Sequence, residues 1–251
     1  MPTRDTAWPA GTPCWVDYTA TDLPAAQAFY AGLLDWSYTP SMEEFGGYCN
    51  AQSGGRLAAG MMPQHDPAGP SSWTTYFATD NIASLVDPIA AAGGTVVSPP
   101  MAVAEMGTML IALDPGGHPF GAWQAGTHTG VQVYNQPGAL TWNEEAVADP
   151  DAARAFYGAV FGFSFSEIPE SGGYTTFATD GDPLGGLGGA HEGSPSGWTT
   201  CFAVADADAA AAYATGHGGS VISPPMDMPY GRYAVLADPW GAALSIMQLP
   251  N

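Results

Sequence analysis

The stretch PCWVDYTATDLPAAQAFYAGLLDW, beginning at Pro13, returns as LTWNEEAVADPDAARAFYGAVFGF from Leu140. The two copies stay in step to the C-terminus. Trp15 matches Trp142, and Phe29-Tyr30 matches Phe156-Tyr157, both at an offset of 127. Ser98-Pro99-Pro100-Met101 returns as Ser223-Pro224-Pro225-Met226, and Asp114-Pro115 as Asp238-Pro239. An internal duplication of this length restricts the fold to two similar units in tandem. It also supplies a control, because any chemistry assigned to one copy can be examined in the other.

A finer repeat lies inside the large one. Trp15-Val16-Asp17-Tyr18-Thr19 alternates like a strand, and Asp22 then stands where a helix N-cap belongs, ahead of LPAAQAFYAGLL. Pro24 suits the first helical turn. The second copy repeats this with Asp149 and Pro150. The middle of each half has the same grammar: Trp73 to Asp80 precedes ASLVDPIAAAGG, and Trp198 to Asp206 precedes ADAAAAYATGHGG. Tryptophan stands seven residues before the aspartate at 15, 73 and 142, and eight before it at 198. After each helix come short extended pieces punctuated by Gly and Pro. The expected fold is therefore α+β: four βαβββ modules forming two tandem domains, 12–124 and 139–249, with mixed sheets and a linker over 125–138. Pro88 falls inside the second helix and predicts that it is short or kinked.

With 46% hydrophobic residues in 251, the chain can bury a large core. Its net charge of −20 comes from 24 acids against four arginines and no lysine. Such a surface repels phosphate backbones, so no nucleic-acid partner is expected. Cys14, Cys49 and Cys201 occupy unmatched positions and make no disulfide framework, which favours a reducing compartment. No apolar run approaches the roughly 18 residues of a membrane span, and the N-terminal residues lack a signal-peptide core. No membrane association and a cytoplasmic location are the expectations.

The openings WVDYTATDLPAAQAFY and WNEEAVADPDAARAFY, the turns AAGGTVVSPP and GHGGSVISPP, and the endings ALDPGGHPFGAWQ and LADPWGAALSIMQ together resemble the vicinal oxygen chelate superfamily of glyoxalases, bleomycin-resistance proteins and extradiol dioxygenases. The resemblance runs from about residue 12 to 249. It is most similar to tandem actinobacterial proteins described as hydroxylase or glyoxalase-like, some of them in aromatic polyketide pathways. The resemblance implies a U-shaped sheet in each domain, and usually a divalent metal held there by His, Gln or Glu. At the implied seats this chain has Trp15 and Trp142 on the opening strands, Gly121 and Ser245 on the closing strands, and Trp73 or Thr74 and Trp198 or Thr199 between. None replaces an imidazole or carboxylate. The expectation is no metal and no other cofactor. Members of the superfamily pair their domains within a chain or between two chains, so a homodimer is also among the expectations.

Alternation puts Trp15 and Asp17 on one face of their strand and Val16 and Tyr18 on the other. The helix must cover the apolar face, so Asp17 is expected to look into the concavity, and Glu144 beside Trp142 likewise. Trp123 and Met247 on the closing strands, Tyr48 and Tyr174 after Gly-Gly pairs, and Trp73 and Trp198 on the middle strands complete the expected ligand-binding set. His65 and His191 fall at equivalent positions and could exchange protons at the cavity mouth. A concave apolar site with a few polar groups suits a flat aromatic molecule. Two functions follow: a metal-free module that binds a planar aromatic natural product for sequestration, delivery or tailoring, or a metal-free enzyme with Asp17 or Glu144 as general base. A third, metal catalysis through His65, His191 and acids from unexpected positions, ranks below them.

Overall fold

The computed structural model describes residues 2–66, 68–191 and 195–250. Its first half runs β1 (Pro13–Ala20), α1 (Leu23–Leu34), β2 (Ser37–Tyr38), β3 (Cys49–Ser53), β4 (Arg56–Pro63), β5 (Ser72–Ala78), α2 (Val86–Ala91), β6 (Thr95–Val103), β7 (Gly107–Leu113) and β8 (Pro119–Ala125). Its second half runs β9 (Leu140–Val147), α3 (Pro150–Phe161), β10 (Ser164–Glu167), β11 (Thr175–Ala178), β12 (Gly185–Gly189), β13 (Gly197–Ala203), α4 (Ala207–Gly216), β14 (Ser220–Met228), β15 (Gly231–Ala237) and β16 (Ala243–Gln248). Each half is thus two βαβββ modules. They share one eight-stranded sheet, ordered β2-β3-β4-β1-β5-β8-β7-β6 in the first half and β10-β11-β12-β9-β13-β16-β15-β14 in the second. At the centre β1 runs antiparallel to β5, while β4 and β8 flank them in parallel. Both modules of a sheet come from the same half of one chain, so no second chain is needed to complete it.

Three helices begin as their aspartates predict. Asp22, Asp149 and Asp206 accept from the amides of Ala25, Ala152 and Ala209 at 3.1, 3.0 and 2.9 Å. Each satisfies an amide that has no partner within its helix. The remaining helix departs from the pattern. A 3₁₀ turn over Ile82–Leu85 leads into α2, which has six residues, and the residue ahead of that turn is Asn81, with no side-chain cap. Asp80 is therefore not a cap. Pro88 lies inside α2, where its ring is incompatible with a long helix.

The helix-covered faces of the two sheets pack against each other. One core joins Tyr18, Tyr30, Trp36 and Trp73 of the first half to Phe202, Ala214 and Leu236 of the second. The other joins Phe77, Ile89 and Phe120 to Phe156, Tyr157, Phe163 and Phe177. Trp36 meets Phe202 edge-on at 5.2 Å, and Phe77 lies 6.2 Å from Tyr157. Each fully buried aromatic of this kind contributes about 1.5–3 kcal/mol. The chain between β8 and β9 is tied to the first sheet: Val131 and Gln132 donate backbone hydrogen bonds to Cys14 and Leu57, both at 2.8 Å, and Val131 and Val133 are buried. Among the described residues, no helix is long and apolar enough to cross a membrane. The three cysteines are free and buried.

Candidate ligand-binding site

The opposite face of the first sheet carries the candidate site, and strand register assembles it. Trp15 pairs with Tyr76 across β1 and β5, and Tyr76 pairs with Gly121 across β5 and β8. Asp17 pairs with Gly60 across β1 and β4. Partners in register share a face, so Trp15, Asp17 and Tyr76 project together. They line a cavity of about 300 Å³. Tyr48 and Phe45 close one side, Trp123 and His128 another, and Met62, Met101, Val103, Met106 and Met109 complete the wall.

Two glycines make this arrangement sterically feasible. A Cβ on Gly60 would stand 1.9 Å from the Tyr48 hydroxyl and 2.0 Å from Asp17 Oδ1. A Cβ on Gly121 would stand 2.1 Å from the Tyr76 ring. The Tyr76 ring lies over bare backbone at the very position where the family resemblance implies a metal ligand.

Asp17 is the one carboxylate in this wall. Its Oδ1 accepts from Trp15 Nε1 at 2.7 Å and from the Tyr48 hydroxyl at 2.6 Å, and Tyr76 also hydrogen-bonds to it. Trp15 Nε1 is shared with the Tyr48 oxygen at 2.9 Å. Burial pushes the Asp17 carboxyl above its ordinary value of 3.8, against the three donors, which favour the charged form. The same burial, reinforced by the Asp17 charge, pushes the phenols of Tyr48 and Tyr76 well above 10.0, so both are donors at neutral pH. His128 meets the Trp15 ring edge-on at 4.4 Å, and burial lowers its pKa from 6.5, which leaves it neutral at pH 7.

This donor set does not suit a resident divalent ion. Such an ion takes three or more N, O or S ligands, whereas here a single carboxylate is already engaged by two phenols and an indole. The His128 Nδ1 accepts from the Gly130 amide at 3.2 Å.

The second sheet repeats the plan with different side chains. Glu144 accepts from Tyr174 at 3.0 Å and also from Tyr233, while Trp142 Nε1 donates to the Tyr174 hydroxyl at 3.0 Å rather than to the acid. A Cβ on Gly186 would stand 1.7 Å from the Tyr174 hydroxyl, so this glycine does for Tyr174 what Gly60 does for Tyr48. Cys201 and Ser245, paired in register, occupy the places of Tyr76 and Gly121. Met247 is half-buried and pairs with Tyr233. The acid is thus clasped by two phenols, and the ring that floors the first cavity is missing.

The two middle-strand tryptophans lie elsewhere. Trp73 is registered with Tyr18, and Trp198 with Glu145, so both belong to the helix-covered face. There Trp73 Nε1 donates to the Tyr30 hydroxyl at 3.0 Å and Trp198 Nε1 to the Tyr157 hydroxyl at 2.7 Å. The reason is a slip of one residue. The helix-start position matching Asp22 is Asn81, not Asp80, so Trp15 corresponds to Thr74, and a one-residue slip exchanges the faces of a strand. The spacing of eight at Trp198 already carried this parity. Tyr76, two residues beyond Thr74, is the residue that sequence reasoning missed. His65 and His191 are exposed and line no part of the cavity, although His65 lies against Gly46 beside Phe45. Phe45, Met106 and His128 had no signal, because loops and the interdomain segment bring them in, and Met109 of β7 joins the wall through its register with Trp123.

Comparison with known proteins agrees with this architecture. The Glyoxalase/Bleomycin resistance protein/Dioxygenase superfamily profile matches residues 144–246, and a glyoxalase-like domain profile matches residues 14–122. The chain is 40% identical over 257 residues to CFP32 of Mycobacterium tuberculosis, whose name assigns it provisionally to the glyoxylases; the match spans 99% of this chain and 98% of that protein. It is 36% identical over 263 residues to the anthracycline biosynthesis protein DnrV of Streptomyces peucetius, spanning 97% and 95%. Among solved structures, the 2,3-dioxygenase LapB from Pseudomonas sp. KL28 superimposes with a TM-score of 0.67 at 13% identity, covering 99% of this chain and 96% of that one. The Mn(II)-bound glyoxalase from Novosphingobium aromaticivorans gives 0.66 at 15%, covering 95% and 82%. With both halves matched and relatives aligned along almost the whole chain, the protein belongs to the glyoxalase/bleomycin resistance/dioxygenase superfamily.

Proposed function

We propose that the first-half cavity binds a planar aromatic small molecule, of the fused-ring polyketide class, without a metal ion at that site. The observation that carries this reading is the wall itself: Trp15, Tyr48, Tyr76 and Trp123 supply ring faces and edges, methionines supply adaptable sides, and Asp17 is the one charged group. Its volume lies at the small end of the roughly 300–1,000 Å³ typical of ligand pockets. Met101 is 51% exposed, so a larger ligand can extend past it into solvent. Asp17 would accept a hydrogen bond from a phenolic hydroxyl or an amine on the ring system. The anthracycline biosynthesis relatives lend support, since anthracyclines are fused-ring polyketides. In this reading the first half is the competent copy, and Glu144, held by Tyr174 and Tyr233, is structural.

Titration with 1,8-dihydroxyanthraquinone, followed by tryptophan fluorescence, tests the proposal. Saturable quenching in the micromolar range, insensitive to chelator and weakened at least tenfold by Trp15→Leu, is expected. No saturable response, or equal affinity in the Trp15→Leu protein, overturns it.

The raised pKa of Asp17 favours one second reading, a metal-free tailoring enzyme in which this carboxyl moves a proton of the bound ring system. Asp17→Asn would then abolish turnover of a polyketide substrate while binding persists; unchanged turnover rejects that role.

A further inference from the structure

We propose that Asp114, His118 and Glu145 form a divalent-metal site of the zinc class at the seam between the two halves, on the faces of the sheets opposite the aromatic cavity. Asp114 and His118 bracket the tight turn between β7 and β8, and Glu145 projects from β9. The turn is fixed by its own hydrogen bonds: the His118 amide donates to Asp114 Oδ1 at 2.8 Å, and the Asp114 amide donates to the His118 carbonyl at 3.0 Å. His118 Nδ1 then stands 3.2 Å from Asp114 Oδ2 and 3.7 Å from Glu145 Oε1. One donor atom from each residue lies within 4.8 Å of the others. Ligands around a tetrahedral ion with bonds of about 2.0–2.2 Å are separated by roughly 3.4 Å, so small side-chain movements would seat one.

The surroundings match those of a ligating set. His118 Nε2 lies 3.0 Å from Ser196 Oγ, which leaves Nδ1 to face the two carboxylates. The Tyr157 hydroxyl donates to Glu145 Oε1 at 3.1 Å, orienting that carboxyl. Partners of this kind ordinarily hold metal ligands in position. An independent observation concerns Glu145 Oε2. Glu145 is 1% exposed, and this oxygen has no hydrogen-bond partner. A buried, unpaired carboxylate oxygen beside a second carboxylate is costly unless a cation or a proton fills the gap.

The duplication sharpens the choice between those two. At the other seam the counterpart of Asp114 is Asp238, and it faces Tyr18, the counterpart of Glu145, and Ala242, the counterpart of His118. There one carboxylate receives the phenols of Tyr18 and Tyr30 together with the amides of Trp240 and Ala242, and all needs are met by neutral donors. At the Asp114 seam both non-ligating residues have become ligating ones. A proton between Asp114 and Glu145 would account for the acid alone. The imidazole beside them, with Nδ1 3.2 Å from Asp114 Oδ2, adds the third ligand atom that a cation needs and a shared proton does not.

Equilibrium dialysis of the full chain against zinc, with elemental analysis, tests the site; cobalt substitution adds a visible d–d spectrum that reports ligand type. One ion per chain is expected, released at acid pH as the ligands protonate, with a rise of several degrees in Tm when zinc is in excess. His118→Gln and Glu145→Gln should each weaken binding at least tenfold and abolish the Tm rise, whereas the surface substitutions His65→Gln and His191→Gln should leave both intact. His118 is partly exposed, so its variant decides the matter if Glu145→Gln fails to fold. Absence of retained zinc, or equal retention by folded His118→Gln, overturns the proposal. Quenching by the anthraquinone is expected to be unchanged in His118→Gln, so failure at this seam is separable from failure at the cavity.

Discussion

The phenol of Tyr18 donates to the carboxylate of Asp238, a residue 220 positions away in the other half of the chain. Tyr30 donates to the same oxygen at 2.9 Å. The relationship is reciprocal, since Asp114 of the first half reaches the Glu145 and Tyr157 face of the second. Each Asp-Pro turn therefore inserts an acid into the helix-covered face of the opposite sheet. Burial and the nearby carboxylate push both Tyr18 and Tyr30 far above their ordinary 10.0, so both are donors at neutral pH.

Tyr18→Phe removes one donor from a buried carboxylate and leaves the ring packing intact. We expect a loss of about 1–3 kcal/mol in urea unfolding. A change below about 0.3 kcal/mol would mean that this bond does not help hold the halves together.

Gly60→Ala and Gly186→Ala form a matched pair. Each added methyl collides with a tyrosine hydroxyl, but only the Gly60 methyl also meets Asp17 Oδ1, at 2.0 Å. Anthraquinone affinity should fall at least tenfold in Gly60→Ala and change less than twofold in Gly186→Ala. Equal effects would place the ligand elsewhere.

Asp17 binds its proton more tightly in the folded chain than in the unfolded one, because burial raises its pKa above 3.8. The folded state then holds more protons across the window from 3.8 up to the raised value, and stability falls as pH rises through it. Asp17→Asn should flatten the fall of unfolding free energy with pH above about 4 relative to the parent protein. Parallel curves would show that the carboxyl is not perturbed.

The helix caps differ in a way that can be measured. Asp149→Ala and Asp22→Ala should each cost about 1 kcal/mol, because each side chain holds an amide of the first turn. Asp80 is exposed and precedes a 3₁₀ turn without a side-chain cap, so Asp80→Ala should stay within about 0.5 kcal/mol. A cost of 1 kcal/mol at Asp80 would contradict the assigned helix start.

Much of the site was legible because strands alternate with a period of two. Once Val16 and Tyr18 are assigned to the core, Trp15 and Asp17 must face away from it, and Tyr48 and Trp123 follow from their places after a Gly-Gly turn and on the closing strand. The same rule misled at Trp73. Its count of seven residues ran to Asp80, and a single residue of slip carries an entire strand to the wrong face.

By itself the sequence determined the duplication, the four βαβββ units, the three aspartate-capped helices and the absence of ligating side chains at the seats implied by the resemblance. These are local properties, written in spacing, capping and alternation. Only the tertiary structure decided that Tyr76 floors the cavity, that His128 and the methionines wall it, and that Asp114, His118 and Glu145 meet at a seam. Those depend on register between strands far apart in the chain and on how two sheets dock through their helices. Nothing in the order of residues fixes either before the cores are packed.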